Sequence, residues 1–235
     1  LFLTDAQLIL KTALSAKERL GRHEHFIPFE IGCHNQPELN LLPPLLRQLS
    51  ADFPLLRPSI HLVPFPSLLG LVDNKQIHAA FSTKEEKKKT ALCFRELCSA
   101  PIACVCSPAH PLAQYKTLTK KQLSGNIIVC SPRQISNSVF TMQNMLLVNL
   151  SPEQRYFTES VESALTLAKA QIGYTLYPDI VQARDPGLCY IPITDMPRLP
   201  FGVYYRHNDT NPILKRFITL CRQNDFTSNP ARRNF

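Results

Sequence analysis

The sequence predicts an α/β protein made of two lobes, each with a sheet covered by helices. In the first half, strand-like and helix-like segments alternate in the order β-α-β-α-β, which is typical of a parallel sheet with right-handed crossovers. A second alternating set follows it. The length of 235 residues is enough for two such units, since one domain takes ~100–200 residues.

Residues 1–21 are predicted to form a helix that ends at Gly21. Thr4 is its N-cap, Gln7 completes a capping box, and apolar residues recur every three or four positions at Leu3, Ala6, Leu10, Ala13 and Leu20. An apolar stripe on a terminal helix with little core nearby indicates packing against a second chain.

The elements of the first lobe follow a polar hinge at residues 22–25. Strands are predicted at 26–33, 59–64 and 77–81, and helices at 40–53 and 67–75. Pro43 and Pro44 are compatible with the first of these helices because they fall in its first turn.

The second set of elements begins in a long apolar run, 97–106, which Ser99-Ala100-Pro101 interrupts, so the chain can change sheets there. Further strands are predicted at 126–130, 172–177, 188–193 and 201–206, and helices at 118–123, 138–147, 160–170 and 212–222. The tail from Asn224 has no pattern, and we expect it to be frayed.

Composition excludes several classes of protein. The seven glycines are at least eleven positions apart, which excludes a dinucleotide-binding glycine loop, a P-loop and a nucleophile elbow. No apolar run approaches the ~18 residues of a membrane span. The net charge is +8, but the densest basic run, residues 84–89, carries its own acids and is interpreted as a solvated loop.

Eight cysteines lie mostly in apolar, strand-like stretches, where a reduced thiol behaves as a small hydrophobe. They favour a reduced, cytoplasmic protein over a secreted one with disulfides. A metal site at Cys98, Cys104, Cys106 and His110 is disfavoured, because Cys104 and Cys106 come from a single strand. Cys130, near Arg133, is the best candidate for a redox-active thiol. No cofactor is expected.

Four stretches share the order and spacing of the motifs of one known family. They are Leu3-Thr4-Asp5-Ala6-Gln7; Ile31-Gly32-Cys33 with Leu41-Leu42-Pro43 and Phe53-Pro54; Pro108-Ala109-His110-Pro111-Leu112-Ala113; and Ala170-Gln171-Ile172-Gly173-Tyr174 through Pro178. Together they resemble the effector-binding domain of LysR-type transcriptional regulators. The chain departs from the pattern at Gln7 and near Asn74, where glycine is usual, and at His78, where an acid is usual.

The resemblance implies a type II periplasmic-binding-protein-like fold, with two Rossmann-like lobes joined by crossover strands and preceded by a linker helix. The expected divisions are a linker and dimerisation helix at 1–21, lobe I at 22–100 and 201–223, lobe II at 101–200, and a tail at 224–235. The resemblance further implies a homodimer or tetramer that binds DNA only through a helix-turn-helix before Leu1, with no membrane contact.

Candidate effector contacts follow the ends of predicted strands, around a cleft between the lobes. The loop after the first strand leads into a helix, whose free N–H groups favour a carboxylate, and the family's contact position falls at Gln36; ordinary helix capping by Asn35 or Asn40 is the alternative. The full set is Asn35, Gln36, Phe65, Pro66, Ser67, Ser82, Thr83, Ser131, Gln134 and Tyr174. Arg133 is the one cation in the loop of lobe II, so the preference for an anionic effector is mild.

The predicted function is therefore the regulatory domain of a LysR-type DNA-binding regulator, which senses a small effector in the cleft. The alternative is an extracytoplasmic solute-binding protein of the same fold, which several disulfides would favour. An enzyme is not expected, because no Cys–His or Ser–His–Asp constellation can be placed in one site.

Overall fold

The computed structural model describes residue 10 and residues 12–13, 26–84, 92–133, 135–148, 150–224 and 226. Leu10, Thr12 and Ala13 are helical, but most of the predicted linker helix lies outside the described residues, as do residues 85–89 of the charged run and the tail from 227.

Ten strands and six α-helices make up the described chain, besides short 3-10 turns. The strands are β1 (Ile27–Cys33), β2 (Leu56–Leu62), β3 (Ala79–Thr83), β4 (Leu92–Ala100), β5 (Ile102–Cys106), β6 (Ile127–Cys130), β7 (Arg155–Thr158), β8 (Thr175–Pro178), β9 (Cys189–Pro192) and β10 (Leu199–Arg206). The helices are α1 (Gln36–Leu39), α2 (Leu42–Asp52), α3 (Phe65–Asp73), α4 (Asn137–Leu147), α5 (Val161–Lys169) and α6 (Pro212–Gln223).

Lobe I is built on a five-stranded sheet of order β2-β1-β3-β10-β4. Strand β1 pairs in parallel with β2 and β3, as the β-α-β-α-β pattern predicts. Strand β10 returns from lobe II and inserts antiparallel between β3 and β4. The core of lobe I contains Phe29, Phe81, Phe201 and Phe217. Ile180, from the segment after β8, packs into the same cluster.

Lobe II contains an antiparallel sheet of order β8-β5-β9 and a parallel pair, β6 and β7. A bridge between Ile127 and Tyr174 links β6 to the segment before β8. Gly173 is required in that segment because a Cβ there would lie 2.3 Å from the carbonyl oxygen of Asn126. A separate apolar cluster, with strand β5 fully buried inside it, forms the core of this lobe.

The run 97–106 belongs to two strands, β4 and β5, and the chain changes sheets at Pro101, as the interruption at Ser99-Ala100-Pro101 predicts. Other predicted elements differ from the structure. The predicted helix at 118–123 is only a 3-10 turn, Lys120–Gln122, closed by a capping box of Thr119 and Gln122. Strand β7 was not predicted.

None of the helices in the described part of the chain has the length and apolar composition that crossing a bilayer requires.

Candidate functional site

A small cavity lies between the two lobes, and we call it the cleft. Lobe I contributes His34, Glu38, Thr83 and Phe201 to its lining. From the other side come the polar residues Ser136 and Tyr177 and the apolar residues Ile135, Val139, Pro178 and Ile180. The cleft has about 10 Å³ of space for the centre of a water molecule, which is enough for about one water.

Asn35, in the loop after β1, links the two lobes. Its Oδ1 accepts a hydrogen bond from the main-chain N–H of Glu38 at 3.0 Å, so the residue caps α1, as the capping alternative predicted. Its Nδ2 donates to the phenol oxygen of Tyr177 at 2.8 Å, and both side chains are buried. One amide therefore caps α1 and bridges the lobes.

Tyr177 keeps its phenol proton across the physiological range. Burial raises the pKa of this phenol, and the negative charges of Glu38 and Glu162 raise it further, while the bond from Asn35 opposes them. The neutral O–H therefore accepts from Asn35 and has its own proton left to donate.

The main chain of Gln36 contacts lobe II. Its N–H donates to Oε1 of Glu162 at 2.6 Å, and Glu162 lies in the first turn of α5. The Gln36 side chain is exposed and donates instead to Oδ1 of Asn40 at 3.1 Å. The carboxylate that meets the first N–H of α1 therefore belongs to the protein itself.

His34 and Glu38 form a buried pair on the wall of the cleft. Nδ1 of His34 lies 2.9 Å from Oε1 of Glu38, and the two side chains are only 6% and 3% exposed. The ring nitrogen makes no aligned hydrogen bond in the described structure, whereas the main-chain N–H of His34 donates to Oε2 of Glu38 at 2.9 Å. Neither residue is among the contacts predicted from the sequence, although their spacing of four across a capped turn was a usable signal.

Phe65 packs against His34, a residue of the cleft wall. It is buried, its ring meets that of His34 edge-on with centroids 5.3 Å apart, and its main-chain N–H donates to the carbonyl of Arg133 at 3.2 Å. The next two candidates, Pro66 and Ser67, are exposed and are not among the residues that line the cleft.

Ser82 and Thr83 have opposite orientations, because successive side chains of a strand alternate between faces. Thr83 lines the cleft, whereas Ser82 does not. Both hydroxyls are buried and have no hydrogen-bond partner in the described structure. Buried polar atoms are normally paired, so the Thr83 hydroxyl offers an unused donor and acceptor to the cleft.

The candidates of lobe II are only partly brought together. Ser131 is half-buried, and its hydroxyl accepts from the N–H of Arg133 at 3.4 Å, while the side chain of Arg133 is exposed. Tyr174 is buried in the core of lobe II, edge-on to His110, and lies outside the cleft lining. Gln134 falls outside the described residues.

The cysteines do not contribute side chains to the cleft lining. All eight are free, and six are buried. Burial raises the pKa of the Cys130 thiol to about 11, partly offset by hydrogen bonds with Thr158 and Gln143, so the thiolate is disfavoured. Among the described residues, no three His, Cys, Asp or Glu side chains are grouped to hold a metal ion.

Comparison with known proteins identifies the family. Residues 28–225 match the model of the LysR substrate binding domain. The Hca operon transcriptional activator HcaR of Escherichia coli (strain K12) is 24% identical over 238 residues, which cover 94% of this chain and 76% of that protein.

Solved structures of such regulators share the fold. The BenM effector binding domain with its effector benzoate matches with a TM-score of 0.66 and 20% identity, over 86% of this chain and 96% of that one. The reduced OxyR regulatory domain from Pseudomonas aeruginosa matches with a TM-score of 0.65 and 14% identity, over 86% of this chain and 100% of that one. The predicted type II periplasmic-binding-protein-like fold is therefore confirmed, and the chain belongs to the LysR substrate binding domain family, the effector-binding part of LysR-type transcriptional regulators.

Proposed function

We propose that this chain senses a small-molecule effector in the cleft and passes the signal to a DNA-binding segment of a LysR-type regulator in the cytoplasm. A ligand shifts a protein between two states only if it binds them with different affinities. The cleft supports such a difference, because its two walls belong to different lobes.

The observation that carries this proposal is a set of three hydrogen bonds across the cleft region. They join Asn35 to Tyr177, Gln36 to Glu162, and Phe65 to Arg133. The space beside them admits about one water, so a larger ligand enters only when these contacts rearrange. Binding is thereby coupled to the way in which the lobes meet.

Transmission follows from the proposed arrangement of the whole regulator. The helix at 1–21 and the dimer or tetramer contacts would convey a change in lobe orientation to helix-turn-helix segments that precede this chain. The lobe divisions at 100/101 and 200/201 are part of this proposal, and they are supported by the change of sheet between β4 and β5 and by the return of β10 to the first sheet.

The proposed effector contacts begin with Thr83, which lines the cleft. They continue with Asn35, Phe65 and the main chain of Gln36, which form the hydrogen bonds between the lobes. Pro66, Ser67, Ser82, Ser131, Gln134 and Tyr174 stay predictions from the sequence. Gln36→Ala tests the family's contact position directly. Because the Gln36 side chain is exposed and its main-chain bond survives the substitution, we expect little change in effector affinity.

The experiment is a screen of small metabolites by thermal stability, followed by calorimetry of each hit. Val139→Trp adds volume to the cleft wall and should abolish the stabilisation by a true effector. Met145→Trp, on an exposed residue of the same helix outside the lining, is the matched control and should leave it unchanged. Hits that stabilise the Val139→Trp variant as strongly as the wild type would show that the effector binds elsewhere.

A further inference from the structure

We propose that the ligand of the cleft is a cation, a small ammonium or amidinium compound with an apolar body, and that Glu38 is its counter-ion. This inference rests on the proposed function, because it takes the cleft as the binding site. It specifies a charge opposite to the mild preference for an anion that the sequence suggested.

The Glu38 carboxylate is buried but accepts few hydrogen bonds from the protein. Glu38 is 2% exposed. Within the described structure its carboxylate nevertheless receives only one aligned hydrogen bond, from the main-chain N–H of His34. Nδ1 of His34 lies 2.9 Å from Oε1 of this carboxylate but makes no aligned hydrogen bond with it. A carboxylate has about four lone-pair sites and accepts two donors at once from a planar forked group. Glu38 therefore has unused acceptor capacity on the wall of the cleft.

The charged side chains in and around the cleft also favour a cation. No lysine or arginine is among the residues that line the cleft, and the side chain of Arg133, in the neighbouring loop, is exposed. A second carboxylate, Glu162, binds the main chain of Gln36 at the junction of the lobes. The negative charges of Glu38 and Glu162 both raise the pKa of Tyr177, whose side chain lines the cleft.

An anionic ligand would therefore meet like charge, and no lysine or arginine of the cleft lining would compensate it. Burial of an unpaired charge is costly, and like charges close together in a site oppose each other strongly. A cation gains instead from the attraction of Glu38 and Glu162, and it completes the hydrogen bonds that Glu38 lacks.

The remaining walls fit the rest of such a ligand. The Thr83 hydroxyl is buried and unpartnered in the described structure, so it can accept from a second N–H of an ammonium or amidinium group. Val139, Ile180 and Phe201 supply apolar surface, and an aromatic ring also attracts a cation over its face. The cleft therefore combines the Glu38 carboxylate, the unpartnered Thr83 hydroxyl and apolar surface.

The test uses three planar probes of nearly identical shape and different charge: benzamidinium, benzamide and benzoate. Each is titrated into the whole chain by calorimetry at one mildly alkaline pH, at which free imidazoles are neutral. We expect benzamidinium to bind at least about tenfold more tightly than benzoate, with benzamide between them, since charge-assisted pairs are about twice as strong as neutral ones. Equal or tighter binding of benzoate, or no binding of benzamidinium, would overturn the proposal.

Two variants connect the preference to its residues. Glu38→Gln keeps the shape and removes the charge, and should bring the three affinities to within about threefold of one another. Thr83→Val preserves the volume of the side chain and should weaken the binding of benzamidinium by about three- to tenfold. This second variant tests the site even if the Glu38→Gln variant does not fold. A preference for benzamidinium that survives both substitutions would contradict the role of Glu38.

Val139→Trp separates this inference from the proposed function. If benzoate binds best and Val139→Trp abolishes its binding, the cleft is the effector site and the assigned charge is wrong. If the substitution changes the binding of none of the probes, the assignment of the cleft itself fails.

Discussion

The main-chain N–H of Gln36 donates to Oε1 of Glu162 at 2.6 Å, across 126 positions of the chain. The donor belongs to the first turn of α1 in lobe I and the acceptor to the first turn of α5 in lobe II. This charge-assisted bond, with those of Asn35 and Phe65, holds the two lobes together beside the cleft.

Glu162→Ala is expected to loosen this junction. Without the carboxylate, the Gln36 amide loses its acceptor, so its hydrogen exchange should accelerate, whereas amides within β1 should be unaffected. Glu159→Ala removes an exposed carboxylate three positions earlier and serves as the matched control. Unchanged exchange at Gln36 in the Glu162→Ala variant would show that the bond does not hold the lobes together in solution.

Asn35→Ala should destabilise the fold by about 2–3 kcal/mol, because it removes a helix cap of about 1 kcal/mol and leaves a buried phenol without its donor. Tyr177→Phe should cost about 1–2 kcal/mol, since only the bridge is lost and the Asn35 amide stays buried. Urea unfolding measures the free energy of unfolding of both variants. Asn40→Ala, on an exposed residue of the same turn, is the control and should change that free energy less.

The double variant tests whether the two residues act as one bridge. Side chains in contact show a coupling energy of about 0.5–3 kcal/mol, so the combined loss of stability should be smaller than the sum of the single losses. Strict additivity would mean that Asn35 and Tyr177 contribute independently.

Much of the fold could be predicted because local patterns encode it. The alternation of segments in lobe I indicated the parallel pairing of β1 with β2 and β3, and the structure has that pairing. Strand β7 was missed because Arg155–Thr158 is a short edge strand with exposed Tyr156 and Phe157, so it lacks the alternation that identifies a half-buried strand. Its position depends on pairing with β6.

The site was harder to predict than the fold, for a physical reason. The sequence indicates which residues follow strand ends, and that principle selected Thr83, which lines the cleft. Glu38 and Tyr177 were missed because their relation to the cleft depends on how two separately folded lobes meet. Tyr174 and Tyr177 lie three positions apart, yet the first packs in the core of lobe II and the second faces lobe I.

Gly173→Ala should destabilise the protein by roughly 1–3 kcal/mol, the usual cost of overpacking. The new Cβ would lie 2.3 Å from a main-chain oxygen of Asn126, and the main chain cannot move aside as a flexible side chain can. Gly70→Ala is the opposite case, since it lies within α3 and no other group lies within 4 Å of the position of its Cβ. It should stabilise the protein by up to about 1 kcal/mol. Thermal unfolding compares the stability of the Gly173→Ala and Gly70→Ala variants. Equal changes in stability would contradict the close approach of the main chain at Gly173.

The reactivity of the thiols tests the proposed cytoplasmic location, in which cysteines stay reduced. Burial raises the pKa of Cys130 to about 11, so at neutral pH its thiol is protonated, and its reaction with a disulfide reagent should be slow and should accelerate as the pH rises towards that value. Cys93 is half-buried, and its Sγ lies 3.0 Å from Nδ1 of His207, so it should react first in the folded protein. After denaturation without reductant, all eight cysteines should react, as free thiols do. A count lower by two or more, restored by reductant, would show disulfides and would contradict the cytoplasmic location.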